Sequence, residues 1–189
     1  MSADLVSAVA ASAVTIDSSV KDVAEMYALV SALMARLPYK TLKIAFADFD
    51  ANVVKLRKLG ADKRMSDVLF AEWSSSRDVK ALCDTDGNAH TTLLWLNRGL
   101  ELVVAMLTRL AEAPTADLAI REVYEASLAK HHSWWQKKLV SAMAGSTISA
   151  AQLDEYLDRP KHLDACRRSL AQHVASYAVL EKRAAGEQV

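Results

Sequence analysis

The stretch that most constrains this chain is Thr92 to Leu107, TLLWLNRGLELVVAML. Leu93, Leu96, Leu100, Val103 and Leu107 step by three and four, which lays them along one side of an α-helix. A stripe that apolar has to be buried against other elements. Trp95 and Arg98, three apart, share a different side. By residue type alone Trp95 reads as a core aromatic. A flat ring beside a cation can also serve as a platform for a flat polar ligand.

The rest of the chain repeats the helical pattern. Leu5, Val6, Val9 and Val14 make a first short helix, and Thr15 to Ser19 offers capping residues before a second. That second helix carries Val20, Val23, Tyr27, Val30 and Met34 and stops near Leu37-Pro38. A third runs from about Tyr39 to Leu59, with Gly60 as its C′ residue. Met65, Val68, Leu69 and Trp73 predict a fourth, and Cys83 to Asn88 a turn. A long helix is expected from about Ala116 to Met143, a short one from Ser149 to Leu157, and a last one carrying Leu163, Cys166, Leu170, Val174, Tyr177 and Leu180. No alternating strand and no internal repeat stands out. With five glycines, three prolines and 52% hydrophobic residues, the chain is expected to form one all-α domain over residues 1–189, about eight helices in a two-layer sandwich.

Composition also limits function. The formal charge is zero, which argues against affinity built on a basic field for nucleic acid. Cys83 and Cys166 are far apart and form no metal-type pair, so two reduced thiols are expected. No signal-peptide pattern opens the chain, and no run is long enough for a membrane span. The expectation is a soluble, cytoplasmic protein. No nucleophile–base pair or phosphate-binding loop points to an enzyme.

Two polar clusters carry chemistry. Asp48, Asn52 and Lys55 stand at i, i+4 and i+7, on one helix face. Such a triplet is ordinarily an exposed face with a weak ion pair. It also offers an acceptor-only carboxylate, a mixed amide and a triple donor, a set suited to an amide N–H and to sugar hydroxyls. The second cluster is His131-His132-Ser133-Trp134-Trp135. Adjacent helical histidines point about 100° apart and cannot easily share one ion, so no metal is expected. On a continuous helix His132 shares a face with Leu128, Trp135 and Leu139, where a satisfied core histidine is the ordinary reading.

Three pieces together, Asp48-x3-Asn52-x2-Lys55, Leu93 to Leu100 (LLWLNRGL) and His132-x-Trp134, resemble the glycolipid transfer proteins. These are small all-helical carriers of one sphingolipid between membranes, and the resemblance covers about Val20 to Leu180. It implies that Asp48 anchors the ceramide amide, that Asn52, Lys55 and Trp95 hold the first sugar, and that His132 donates to the acyl carbonyl. It places Trp134 at the entrance, touching the membrane, with Trp135 inside and His131 at the surface. It implies no catalytic residue, no cofactor and no metal; the partners are a glycosphingolipid and, transiently, a membrane, and the carrier is a monomer.

A second branch of that family carries ceramide-1-phosphate. It has arginine where Trp95 stands, another arginine four residues earlier at Thr91, and lysine at Asn52. A phosphate calls for charge-assisted, bidentate donors, so these three positions favour a neutral sugar. The alternatives are a ceramide-1-phosphate carrier using Lys55, Arg98 or Lys43, a sphingolipid-sensing scaffold without net transfer, and a helical adaptor with no lipid.

Overall fold

A computed structural model describes residues 2–12, 14–36, 40–76, 78–113, 118–132, 147–149 and 163–185. The helices among these residues are α1 (Ser2–Ala11), α2 (Val20–Met34), α3 (Lys40–Arg57), α4 (Met65–Ser75), α5 (Val79–Asp84), α6 (Ala89–Glu112), α7 (Ile120–Ala126), α8 (Leu163–Ser176) and α9 (Ala178–Ala184). The expected two-layer all-α sandwich is what forms. α6 packs against α3 on one flank and α8 on another; α2 packs on α3, and α1 on α2 and α8.

The predicted stripe of α6 is the centre of the core. Leu93, Leu96, Leu100, Val103 and Leu107 are all buried, together with Val23, Tyr27, Val30 and Leu33 of α2 and Phe49, Val53 and Leu56 of α3. Local signals set the boundaries. Ser19 caps α2 by accepting from the Asp22 amide. Gly60 follows α3 with φ of 105°, a conformation that suits a residue without a Cβ. Asn88 caps α6, its Oδ1 accepting from the Thr91 amide at 2.7 Å. The loop after α3 pairs with the one before α2: Val20 N–H donates to Lys63 O and Met65 N–H to Ser18 O.

Four features depart from the sequence reading. α5 precedes the expected turn, which residues 85–88 form, and occupies a stretch where no element was expected; six residues are too short for a periodic signal, though Asp78 caps them through the Ala81 amide. The long helix expected from Ala116 ends at Ala126. Ser127 Oγ donates back to the Val123 carbonyl at 2.7 Å, and the chain tightens into a 3-10 turn over Leu128–His131. Leu118–Ala119 pairs antiparallel with Thr147–Ile148, a two-residue ladder no alternation announced. The last helix breaks at buried Tyr177 into α8 and α9. The helix expected over Ser149 to Leu157 lies almost wholly outside the described residues.

A carboxylate from a neighbouring helix completes the start of α6. Glu72 of α4 accepts from the Ala89 amide at 2.7 Å and the His90 amide at 3.1 Å, and meets His90 Nδ1 at 2.9 Å. Partial burial pushes this carboxyl up, but those three hydrogen bonds outweigh it and hold it below its usual range. A negative charge at a helix N-terminus is favourable there.

Candidate functional site

The site is built on the seam between α3 and α6. A Cβ added at Gly99 would come within 2.8 Å of Phe49 Cδ2, so the absence of a side chain there lets the two helices approach. At the other end of the seam Lys55 Nζ reaches Asp86 Oδ1, 2.6 Å away, just before α6. Residue 49 lies against 99 and residue 55 near 86, so the helices run antiparallel.

This pairing places both polar strips. Asp48, Asn52 and Lys55 step by four and three along α3, and Thr91, Trp95 and Arg98 repeat that step along α6. Taking about 100° per residue, each strip lies on the N-terminal-neighbour side of its own contact residue, Phe49 or Gly99. In antiparallel helices those sides coincide. Both strips therefore flank one side of the seam, with Asn52 and Trp95 at about the same level. Asp48 is exposed, and Asn52, Lys55 and Trp95 are partly so. Among the described residues Asp48 has no hydrogen bond or ion pair. Ser31 of α2 instead hydrogen-bonds Asp50, on the opposite face of α3.

The third piece arrives through the 3-10 turn. His132 stands in extended conformation at its end, with ring centroids 6.1 Å from Trp95 and 5.5 Å from Tyr124. Its Nδ1 is 2.9 Å from the Tyr124 hydroxyl. The continuous helix expected to put Leu128 and His132 on one face has ended at Ala126, and Leu139 lies outside the described residues. Trp134 and Trp135 lie outside the described residues.

An ion-pair network also borders Trp95. The Arg98 guanidinium lies 4.9 Å from the Trp95 ring centroid. It donates through Nε to Glu181 Oε1 at 2.7 Å and through a terminal nitrogen to Oε2 at 3.0 Å. His131 sits between two carboxylates: Nε2 is 3.7 Å from Glu101, and Nδ1 is 3.9 Å from Glu181. Its side chain is only 12% exposed, which corrects the expectation of a surface histidine. Burial, with Arg98 adding to it, pulls this ring below the usual imidazole range against the opposing pull of Glu181 and Glu101.

Glu101, His131 and Glu181 bring three donor atoms within 4.8 Å of one another. Arg98 already neutralises Glu181, and Lys130 Nζ lies 3.0 Å from Glu101. Two cations beside the cluster make it an ion-pair network rather than a cation cradle. Sequence reasoning missed Glu181 because it lies 83 residues beyond Arg98 on a helix whose stripe looked continuous. It missed Glu101 because an acidic residue on an amphipathic helix is ordinarily solvated. No helix among the described residues is long and apolar enough to cross a membrane.

A family model described as glycolipid transfer protein matches residues 19–157. Solved structures of the same fold include a variant of Arabidopsis ACD11 (accelerated-cell-death 11) complexed with C12 ceramide-1-phosphate. It is 22% identical, with a TM-score of 0.70 over 93% of this chain and 91% of that one. FAPP2, solved to explain how it selects simple glycosphingolipids, is 15% identical with a TM-score of 0.64, over 90% and 88% of the two chains. HET-C2, a fungal glycolipid transfer protein, is 21% identical with a TM-score of 0.54, over 86% and 81%. Among curated proteins compared by sequence, nothing matches.

Proposed function

This chain belongs to the glycolipid transfer protein family, and on that premise we propose that it carries one glycosphingolipid between membranes. Its sugar–amide head would rest on the α3–α6 seam and its two hydrocarbon chains in an apolar pocket. Asp48 accepts the ceramide amide N–H, Asn52 and Lys55 bind sugar hydroxyls, and the Trp95 face stacks on the pyranose. His132 donates to the acyl carbonyl. If Tyr124 O–H donates into its Nδ1, the ring proton belongs on Nε2, the nitrogen that makes that bond. Trp134 touches the bilayer, where an amphipathic ring is favourable. The carrier acts as a monomer of one domain in the cytosol and makes no covalent bond. Burying the chains would supply affinity at about 0.8 kcal/mol per CH₂, and the polar groups selectivity, since a buried donor or acceptor without its partner is costly.

The observation that carries the neutral head group is the state of the cations. A phosphate reading would draw on Lys55 and Arg98, and these are already paired with Asp86 and Glu181. The Arg98 pair is bidentate and partly buried. The Lys55 pair is exposed and weaker. The Lys43 side chain lies outside the described residues. The ceramide-1-phosphate held by ACD11 makes a phosphate carrier the reading to test against, and a sensor that binds without net transfer is the other.

Asp48→Val tests the site. Asp48 is exposed, so the variant is expected to keep its helical signal and cooperative melting while vesicle-to-vesicle transfer of glycosylceramide falls to background. Transfer at the wild-type rate would remove Asp48 from the site.

A further inference from the structure

We propose that Glu181, on the C-terminal helix, is a specificity-determining residue of the head-group site: by holding Arg98 paired beside Trp95, it keeps a cation from serving an anionic lipid. The inference rests on the glycosphingolipid reading and deepens it. Glu181 lies outside residues 19–157, the part that matches the family model.

Geometry carries the argument. Arg98 is the cation nearest the Trp95 ring among the described residues, 4.9 Å from its centroid. A guanidinium there, left unpaired, would offer the planar, two-pronged donor that a phosphate monoester binds best. Glu181 takes one two-pronged edge of the guanidinium, Nε and a terminal nitrogen, at 2.7 and 3.0 Å and neutralises its charge, and the two side chains are only 13% and 26% exposed. Water competes little for a pair held this way, so the guanidinium stays committed. The pair also holds the Arg98 guanidinium against the Trp95 ring.

The place of Glu181 in the fold supports the role. The break at Tyr177 separates α9 from α8, and α9 lies across α5 and α6. One Glu181 oxygen also lies 3.9 Å from Nδ1 of His131, next in sequence to His132. A single carboxylate thus touches the element that carries Trp95 and approaches the one that carries His132.

The test compares transfer of glucosylceramide and of ceramide-1-phosphate between neutral vesicles by wild type, Glu181→Gln and the double variant Glu181→Gln with Arg98→Gln. Glu181→Gln is expected to move the ratio toward ceramide-1-phosphate by about tenfold, the size of one charge-assisted hydrogen bond. The double variant, with no cation left to release, should return the ratio to near that of wild type. Should Glu181→Gln fail to fold, Glu181→Asp keeps the charge and draws it back by one methylene. It is expected to shift the ratio in the same direction by a smaller factor. Equal loss of both lipids, or an unchanged ratio in the folded variants, overturns the proposal and leaves Glu181 a structural residue. A wild type that moves no glucosylceramide fails the glycosphingolipid reading itself, a result visible before any variant is made.

Discussion

At the residue scale the site is a set of side chains whose partners decide what they can do. His132 is the sharpest case, because its chemistry depends on which nitrogen holds the proton, and the Tyr124 hydroxyl 2.9 Å from Nδ1 is the group able to decide it. Tyr124→Phe is expected to lower transfer by roughly threefold to tenfold, the size of one neutral hydrogen bond, while the melting temperature moves little. Unchanged transfer would mean that Tyr124 does not orient His132. Asp48, Asn52, Lys55, Trp95 and His132 could be singled out as candidates from the sequence because each stands at a fixed spacing inside a short motif. Glu181 and Tyr124 were not visible as partners, since nothing along the chain says which distant residue a side chain will meet. His131 was misplaced for a related reason: the carboxylates around it, Glu101 and Glu181, come from helices distant in sequence.

At the element scale the decisive contact is the one without a side chain. Gly99 looks unremarkable in sequence, a glycine inside a helix that lowers propensity. In the fold it sets the distance between α3 and α6, because an added Cβ would stand 2.8 Å from the ring of Phe49, itself buried. Gly99→Ala is expected to destabilise the protein by about 1–3 kcal/mol, partly offset by better helix propensity, and to depress transfer by parting the two polar strips. Adding Phe49→Leu should restore part of the transfer. A chemical denaturation series checks the first effect and a transfer assay the second; a stabilised, fully active Gly99→Ala would show that the seam has slack. α2, α3 and α6 were legible from their stripes, and α6 ends at Glu112, two residues before Pro114. Short elements were not: α5, the 3-10 turn and the Leu118–Ile148 ladder hold too few residues for any period.

At the scale of the whole molecule, a buried histidine ties the sequence-distant ends together. His173 of α8 is 2% exposed. Its Nδ1 meets the Val14 carbonyl at 3.0 Å, so that nitrogen must donate, and Nε2 accepts the Tyr27 hydroxyl at 2.9 Å. A second ring proton would require the Tyr27 hydroxyl to turn from donor to acceptor. Burial lowers the pKa to about 4, with the Val14 carbonyl opposing, from about 6.5 in the unfolded chain. The unfolded state therefore binds the extra proton first, and stability present above the unfolded value is lost as pH falls toward the folded one. Between pH 7 and pH 5 the free energy of unfolding is expected to drop by about 2 kcal/mol from this residue, with His131 acting in the same direction. Urea midpoints at the two pH values would check this, and His173→Gln should flatten the dependence. An equal slope in the variant would assign the effect elsewhere.

The most direct measurement is vesicle-to-vesicle transfer by the wild-type protein of labelled glucosyl-, galactosyl- and lactosylceramide beside ceramide-1-phosphate, at one protein concentration and at neutral pH. With Arg98 committed to Glu181 and Lys55 to Asp86, the sugar lipids are predicted to move and the phosphate lipid to stay. Transfer of ceramide-1-phosphate alone would keep the fold and the Asp48–His132 anchor but contradict the neutral site. Transfer of none of them, with no lipid retained in native mass spectrometry, would contradict the carrier itself.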